Sequence, residues 1–190
     1  MIGLQNKELG YKGWSIFLDR DGVINKRIIG GYITSVEKLE LLPGVTDAIK
    51  IFSNIFNKII VVTNQQGIGK GLMTKEDLHS VHNNLIQQIE QSGGRIDKVY
   101  FSPYLKAENS FLRKPNIGMG LMAKKDFNDI NFNKSFMIGD SISDMQFGKR
   151  LKMKTVFISD NAEEARKQNN FIDYLFPDLI SFALSLNNIK

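Results

Sequence analysis

The chain has 190 residues, 42% of them hydrophobic, and carries 25 Lys and Arg against 20 Asp and Glu, a formal charge of +5. That length suits one domain with a full core. The absence of cysteine excludes disulfides and thiolate metal sites, and no run approaches the roughly 20 apolar residues of a membrane span. The mild positive charge suits an anionic small substrate, but no block of lysine or arginine is dense enough to argue for nucleic acid.

The first residues, MIGLQNKELGYKG, lack the apolar stretch of a signal peptide. The expectation is a soluble, cytoplasmic protein with neither membrane nor nucleic acid as partner, working as a monomer. A strand is predicted over 15–19 (SIFLD), followed by a segment, 25–42, with no clear core pattern. A helix over 45–54 starts after Pro43-Gly44, and a strand follows over 58–63 (KIIVVT). The next helix, 74–92, opens with Thr74 three residues before Asp77, an imperfect capping pattern, and stops at Gly93-Gly94. A strand over 98–102 (KVYFS) leads into a second patternless segment, 103–114, and a helix over 116–128. Strand 135–139 (SFMIG), helix 142–151, strand 154–158 (KTVFI), helix 161–168, a short strand near 174–176 and helix 177–187 complete the chain.

The predicted strands are nearly continuous in hydrophobicity, as strands buried on both faces of a parallel sheet must be. Their alternation with helices predicts an α/β fold, a doubly wound parallel sheet, with residues 1–190 as a single domain. In such a sheet the loops at the carboxyl ends of the strands build the site.

Polar residues gather at those ends. Strand one ends in FLDRDGVIN, with Asp19 and Asp21 two residues apart. Asp-x-Asp-Gly alone is also what a turn looks like, but two acids directly after a buried strand leave charge where a cation could bind. Strand two ends in VVTNQQG, offering Thr63, Asn64 and Gln65. Arg113-Lys114-Pro115 precedes a helix, and MIGDSISD places Asp140 and Asp144 after strand four. Each element has a bland reading by itself; their conjunction in one order does not.

In FLDRDGVIN, VVTNQQGIGKG, RKP and MIGDSISDM the chain resembles the haloacid dehalogenase superfamily, and within it the D-glycero-D-manno-heptose 1,7-bisphosphate phosphatases and their histidinol-phosphatase relatives. The resemblance implies a HAD-like, Rossmannoid phosphatase in which Asp19 attacks phosphorus and Asp21 acts as acid, then base. It implies Mg2+ held by Asp19, the Asp21 carbonyl and Asp140. Lys114 and Thr63 would stabilise the phosphoryl oxygens, and Asp144 would orient Lys114 or the metal shell. Motifs one and two are 44 residues apart, too close for a large cap domain. Many members carry a zinc loop of cysteines before RKP. Here that stretch is SPYLKAENSFLRKP, so no structural zinc is expected and packing by Tyr104, Leu105, Phe111 and Leu112 should hold the loop.

The predicted substrate is a small phosphorylated sugar, heptose 1,7-bisphosphate. The IGGYIT flap, with Arg27, Gly31 and Tyr32, is similar to the heptose group, and Asn64, Gln65 and Arg113 would also contact the substrate. Arginine would suit a distal phosphate. Histidinol phosphate, a phosphoryl transferase, a non-catalytic phospho-ligand module and a nucleic-acid 3′-phosphatase are the alternatives. Gly67, Gly69 and Gly71 match neither the Rossmann nor the Walker spacing. His79 and His82 are expected on an exposed helix face, and Trp14 and the phenylalanines in the core.

Overall fold

The computed structural model describes residues 10–161 and 169–186. Six parallel strands, β1 (Ser15–Leu18), β2 (Lys58–Asn64), β3 (Lys98–Ser102), β4 (Ser135–Gly139), β5 (Lys154–Ile158) and β6 (Tyr174–Phe176), form one sheet in the order β3-β2-β1-β4-β5-β6. The chain order reverses at β1, so the crevice of this doubly wound sheet opens beside its carboxyl end. The register sets Leu18 opposite both Val61 and Ile138, so the residues that follow these three strands emerge side by side.

Alternate residues of each strand feed opposite faces. Ile16, Leu18, Ile59, Val61, Phe136 and Ile138 face one layer, packed by α1 (Val45–Ile55), α2 (Lys75–Gln91) and α5 (Leu179–Ser185). Phe17, Ile60, Val62 and Met137 face the other, under α3 (Gly118–Asp126) and α4 (Ile142–Arg150). Apolar side chains are needed on both faces, which explains strands that read as unbroken apolar runs. Phe52 of α1 is fully buried against Phe182 of α5, ring centroids 5.9 Å apart. Such burial stabilises by about 1.5–3 kcal/mol per side chain. Gly120 brings α3 close to α4, since a Cβ there would sit 2.4 Å from Leu151 Cδ1.

Element ends moved by a residue or two from the sequence pattern. Thr74 and Asp77 make a full capping box, because the aspartate reaches the Thr74 amide at 2.8 Å. The predicted helix 161–168 lies almost wholly outside the described residues. Segment 103–114 differs from expectation in what holds it. Tyr104 and Phe111 are exposed, and only Leu105 and Leu112 are half-buried. Polar bonds do the holding instead. Asn116 Nδ2 donates to Asn109 Oδ1 and Ser110 O, and Arg113 Nη1 donates to Tyr104 O at 3.1 Å. A segment this polar has too little apolar surface to fold under itself.

Candidate active site

The first cluster grows from the end of β1. Asp19 is held in the sheet by its amide, which donates to Ile138 O at 2.9 Å, and its Oδ1 accepts from the Arg20 amide at 2.7 Å. The Arg20 side chain turns inward, fully buried, and its guanidinium donates to both Asp21 oxygens, at 2.9 Å to Oδ1 and 3.0 Å to Oδ2. Asn25 Nδ2 adds a bond to Asp21 Oδ1 at 2.9 Å and Gln65 Nε2 one to Oδ2 at 2.7 Å. Burial would raise the Asp21 pKa, but the Arg20 charge and these donors outweigh it and lower it.

The second cluster is ionic. Lys114 is buried, with Nζ 3.0 Å from Asp19 Oδ1, 2.6 Å from Asp144 Oδ1 and 2.6 Å from Val62 O. Three acceptors converge on the three protons of one ammonium. Burial works against the Lys114 charge, but Asp144 and Asp19 outweigh it and raise its pKa. Asn64 locks the lysine backbone at two points: its Oδ1 accepts from the Lys114 amide at 3.0 Å and its Nδ2 donates to the Lys114 carbonyl at 3.1 Å. The other Asp144 oxygen, Oδ2, accepts from Ser141 Oγ at 2.6 Å. Burial, and next the charge of Asp144, push Asp19 up to about 6.

Asp140 completes the carboxylate group. Ligand atoms of Asp19, Asp140 and Asp144 lie within 4.8 Å of one another, the one such group of three among the described residues. Only Lys114 among the buried cations touches them, so the cluster carries more negative than positive charge. Burial, followed by the Asp19 charge, pushes Asp140 up to about 7. Gly22 leaves the room that Asp140 fills, since a Cβ there would fall 1.9 Å from Asp140 Oδ2. Arg27 Nη2 donates to Asp140 Oδ1 at 2.7 Å and to the Asp21 carbonyl at 3.3 Å. A cation therefore fits between Asp140 and the Asp21 carbonyl, two of the three groups expected to hold a metal. The donors are all oxygen, as a hard dication such as Mg2+ requires.

A cavity of about 420 Å³ opens over these clusters, within the range of small-ligand sites. Asp19, Asp21, Thr63, Asn64 and Lys114 line its floor, and Arg27, Gly31, Tyr32 and Arg113 its walls. Gln65, expected at the substrate, is buried away from the cavity, where it bonds Asp21 and Thr63. Gln66 lines the cavity instead and donates to Tyr32 OH at 3.0 Å. Lys70, also at the wall, stands over the Tyr32 ring, 5.3 Å from its centroid. The glycine-rich turn thus serves packing: a Cβ on Gly67 would press on Tyr32 and one on Gly69 would meet Pro103 O at 2.7 Å.

Residues 34–187 match the family model of polynucleotide kinase 3 phosphatase. The chain is 31% identical over 177 residues to the D-glycero-alpha-D-manno-heptose-1,7-bisphosphate 7-phosphatase of Mycobacterium bovis, covering 93% of each. The chain belongs to the haloacid dehalogenase superfamily. Within it, the chain is also 36% identical over 141 residues to the D-glycero-beta-D-manno-heptose-1,7-bisphosphate 7-phosphatase of Helicobacter pylori, covering 74% of this chain and 80% of that one. Among solved structures it is similar to the D,D-heptose 1,7-bisphosphate phosphatase of B. bronchiseptica complexed with magnesium and phosphate. That likeness has a TM-score of 0.82 at 25% identity and covers 91% and 97% of the two chains.

Besides Gln66, three residues of this haloacid dehalogenase site were not expected from the sequence: Arg20, Asn25 and His82. Arg20 and Asn25 sit inside FLDRDGVIN, alongside the two aspartates. His82, expected on an exposed face, is buried, while its neighbour His79 is exposed as expected. His82 shares a stripe with Leu78, Val81, Leu85 and Ile89, so helical periodicity carried the signal.

Proposed function

We propose that this protein is a magnesium-dependent phosphomonoester hydrolase that removes the 7-phosphate of D-glycero-D-manno-heptose 1,7-bisphosphate through a phosphorylated Asp19. The observation that carries this reading is the pairing of Asp19 with Lys114 at 3.0 Å on the floor of a cavity whose walls bear Arg27, Lys70 and Arg113. One cation serves the phosphoryl group being transferred, and others remain for a second phosphate. The reading takes residues 1–190 as a single cytoplasmic domain acting as a monomer without structural zinc.

Asp19 attacks phosphorus as the bond from phosphorus to the sugar oxygen breaks, and Asp21 gives that oxygen its proton. Asp21, now ionised, takes a proton from a water whose oxygen attacks phosphorus, which frees Asp19 and inorganic phosphate. The hydrogen bonds to Asp21 favour its ionised form and so suit the second half. The anionic substrate, by raising the pKa of a nearby carboxyl, favours the proton needed in the first. Lys114 neutralises charge on the phosphoryl oxygens, and Thr63 hydrogen-bonds them. Asp19, Asp140 and the Asp21 carbonyl would hold Mg2+, which when bound supplies charge neutralisation between the anionic nucleophile and the anionic substrate. Asp144, with both oxygens occupied by Lys114 and Ser141, orients the lysine.

The deciding experiment is phosphate release from both anomers of heptose 1,7-bisphosphate, histidinol phosphate and a 3′-phosphorylated oligonucleotide, with and without Mg2+. The expected result is the highest kcat/KM on a heptose bisphosphate and loss of activity on chelation. Preference for the oligonucleotide would favour the second reading, which the polynucleotide kinase 3 phosphatase match supports.

Arg27 and the cation compete for the same oxygens in this reading. Arg27→Gln should therefore tighten Mg2+ binding in calorimetry by up to about five-fold, the scale of a half-exposed ion pair. Unchanged or weaker affinity would show that Arg27 does not compete.

A further inference from the structure

His82 is 6% exposed and lies on α2, outside every motif of the site. Its Nε2 is 3.0 Å from Arg20 Nη1, and Arg20 can only donate. Nε2 must therefore carry the lone pair, which places the ring proton on Nδ1. Edge-on contact with Phe101 of β3, ring centroids 6.0 Å apart, helps fix the ring. Arg20 directs Nε and Nη2 at Asp21 and Nη1 at His82, so the imidazole sets the roll of the guanidinium plane. Burial, and next the Arg20 charge, hold His82 far below its ordinary pKa, at about 3, so it stays an acceptor at neutral pH.

We propose that His82 is a positioning residue for proton transfer: by accepting from Arg20, it fixes the guanidinium that holds the Asp21 carboxyl toward the leaving oxygen. Without that acceptor, Nη1 is a buried donor with no partner, and the guanidinium must turn to find one. Asp21 turns with it, because two of its hydrogen bonds come from the same Nη2. The inference rests on the acid–base reading of Asp21.

Its test compares His82→Leu and His82→Asn, which remove the acceptor or draw it out of reach, with His82→Gln, whose Oε1 can stand where Nε2 stands. Each is assayed on a sugar phosphate, whose leaving oxygen needs a proton, and on an aryl phosphate, whose leaving oxygen does not. General acid–base assistance is worth about 10²–10⁴ in rate, and misplacing the acid should forfeit part of it. The Leu and Asn variants should lose about ten-fold or more in kcat on the sugar phosphate, less than about three-fold on the aryl phosphate, and leave KM unchanged. His82→Gln should restore most of the loss.

Equal losses on the two substrates, or no rescue by glutamine, would reduce His82 to a packing residue and overturn the proposal. Because Asn and Gln are both polar, their comparison stands even where the Leu variant does not fold. Asp21→Asn runs alongside. Equal losses there overturn the acid–base role of Asp21 itself. A leaving-group-dependent loss in Asp21→Asn with none in the His82 variants overturns the role of His82 alone.

Discussion

Replacing Asp19 with asparagine is expected to end turnover, lowering phosphate release by more than about 10³-fold. Loss of a single stabilising donor costs about 10²–10³, and loss of the attacking atom should exceed that. An amide of the same shape can occupy the end of β1 and still accept from the Arg20 amide, as Asp19 Oδ1 does at 2.7 Å. The fold should tolerate the change. Burial already disfavours the Asp19 charge, and Lys114 keeps Asp144 and Val62 O as partners. Urea unfolding should therefore give the variant nearly the wild-type stability. Quenching the wild type during turnover of a labelled substrate should recover protein-bound phosphate, and the asparagine variant should hold none. Steady turnover by a pure Asp19→Asn preparation would refute the covalent route.

Lys114→Met should damage both activity and stability. The ammonium is buried at the meeting point of Asp19, Asp144 and Val62 O. Removing one partner of a buried ion pair leaves the other charge uncompensated, at a cost of about 3–5 kcal/mol. The pH dependence has a definite sign. Asp19 is raised above its unfolded value even beside Lys114, to about 6, and loses a charge that lowers it when the lysine is gone. A group whose folded pKa is raised contributes stability at low pH that disappears as pH rises through the folded pKa. The variant should thus be closer to wild type near pH 5 than near pH 8 in urea unfolding. Lys114→Arg should not rescue it, because a planar fork cannot meet three convergent acceptors as an ammonium does. Wild-type stability of Lys114→Met at pH 8 would show that the buried network is dispensable.

The sequence by itself determined five strands and their parallel sheet, because apolar runs covered by helices leave a local pattern; the sixth, Tyr174–Phe176, has no buried residue and left a weaker one. It also determined that Asp19, Thr63, Lys114 and Asp140 belong to one edge, because each lies at the carboxyl end of a strand or just before a helix in a fold whose strand ends converge. The tertiary structure alone decided the partners of the charges. Arg27 meets Asp140 across 113 positions and Arg20 meets His82 across 62. Gln65 turned inward to Asp21 while Gln66 took the cavity wall. Segment 103–114 relied on hydrogen bonds where packing was expected. The physical reason is range. Burial periodicity is written within a few neighbouring residues, whereas a buried charge is stabilised by whichever group the folded chain brings to within about 3 Å, and local sequence carries no record of that distance.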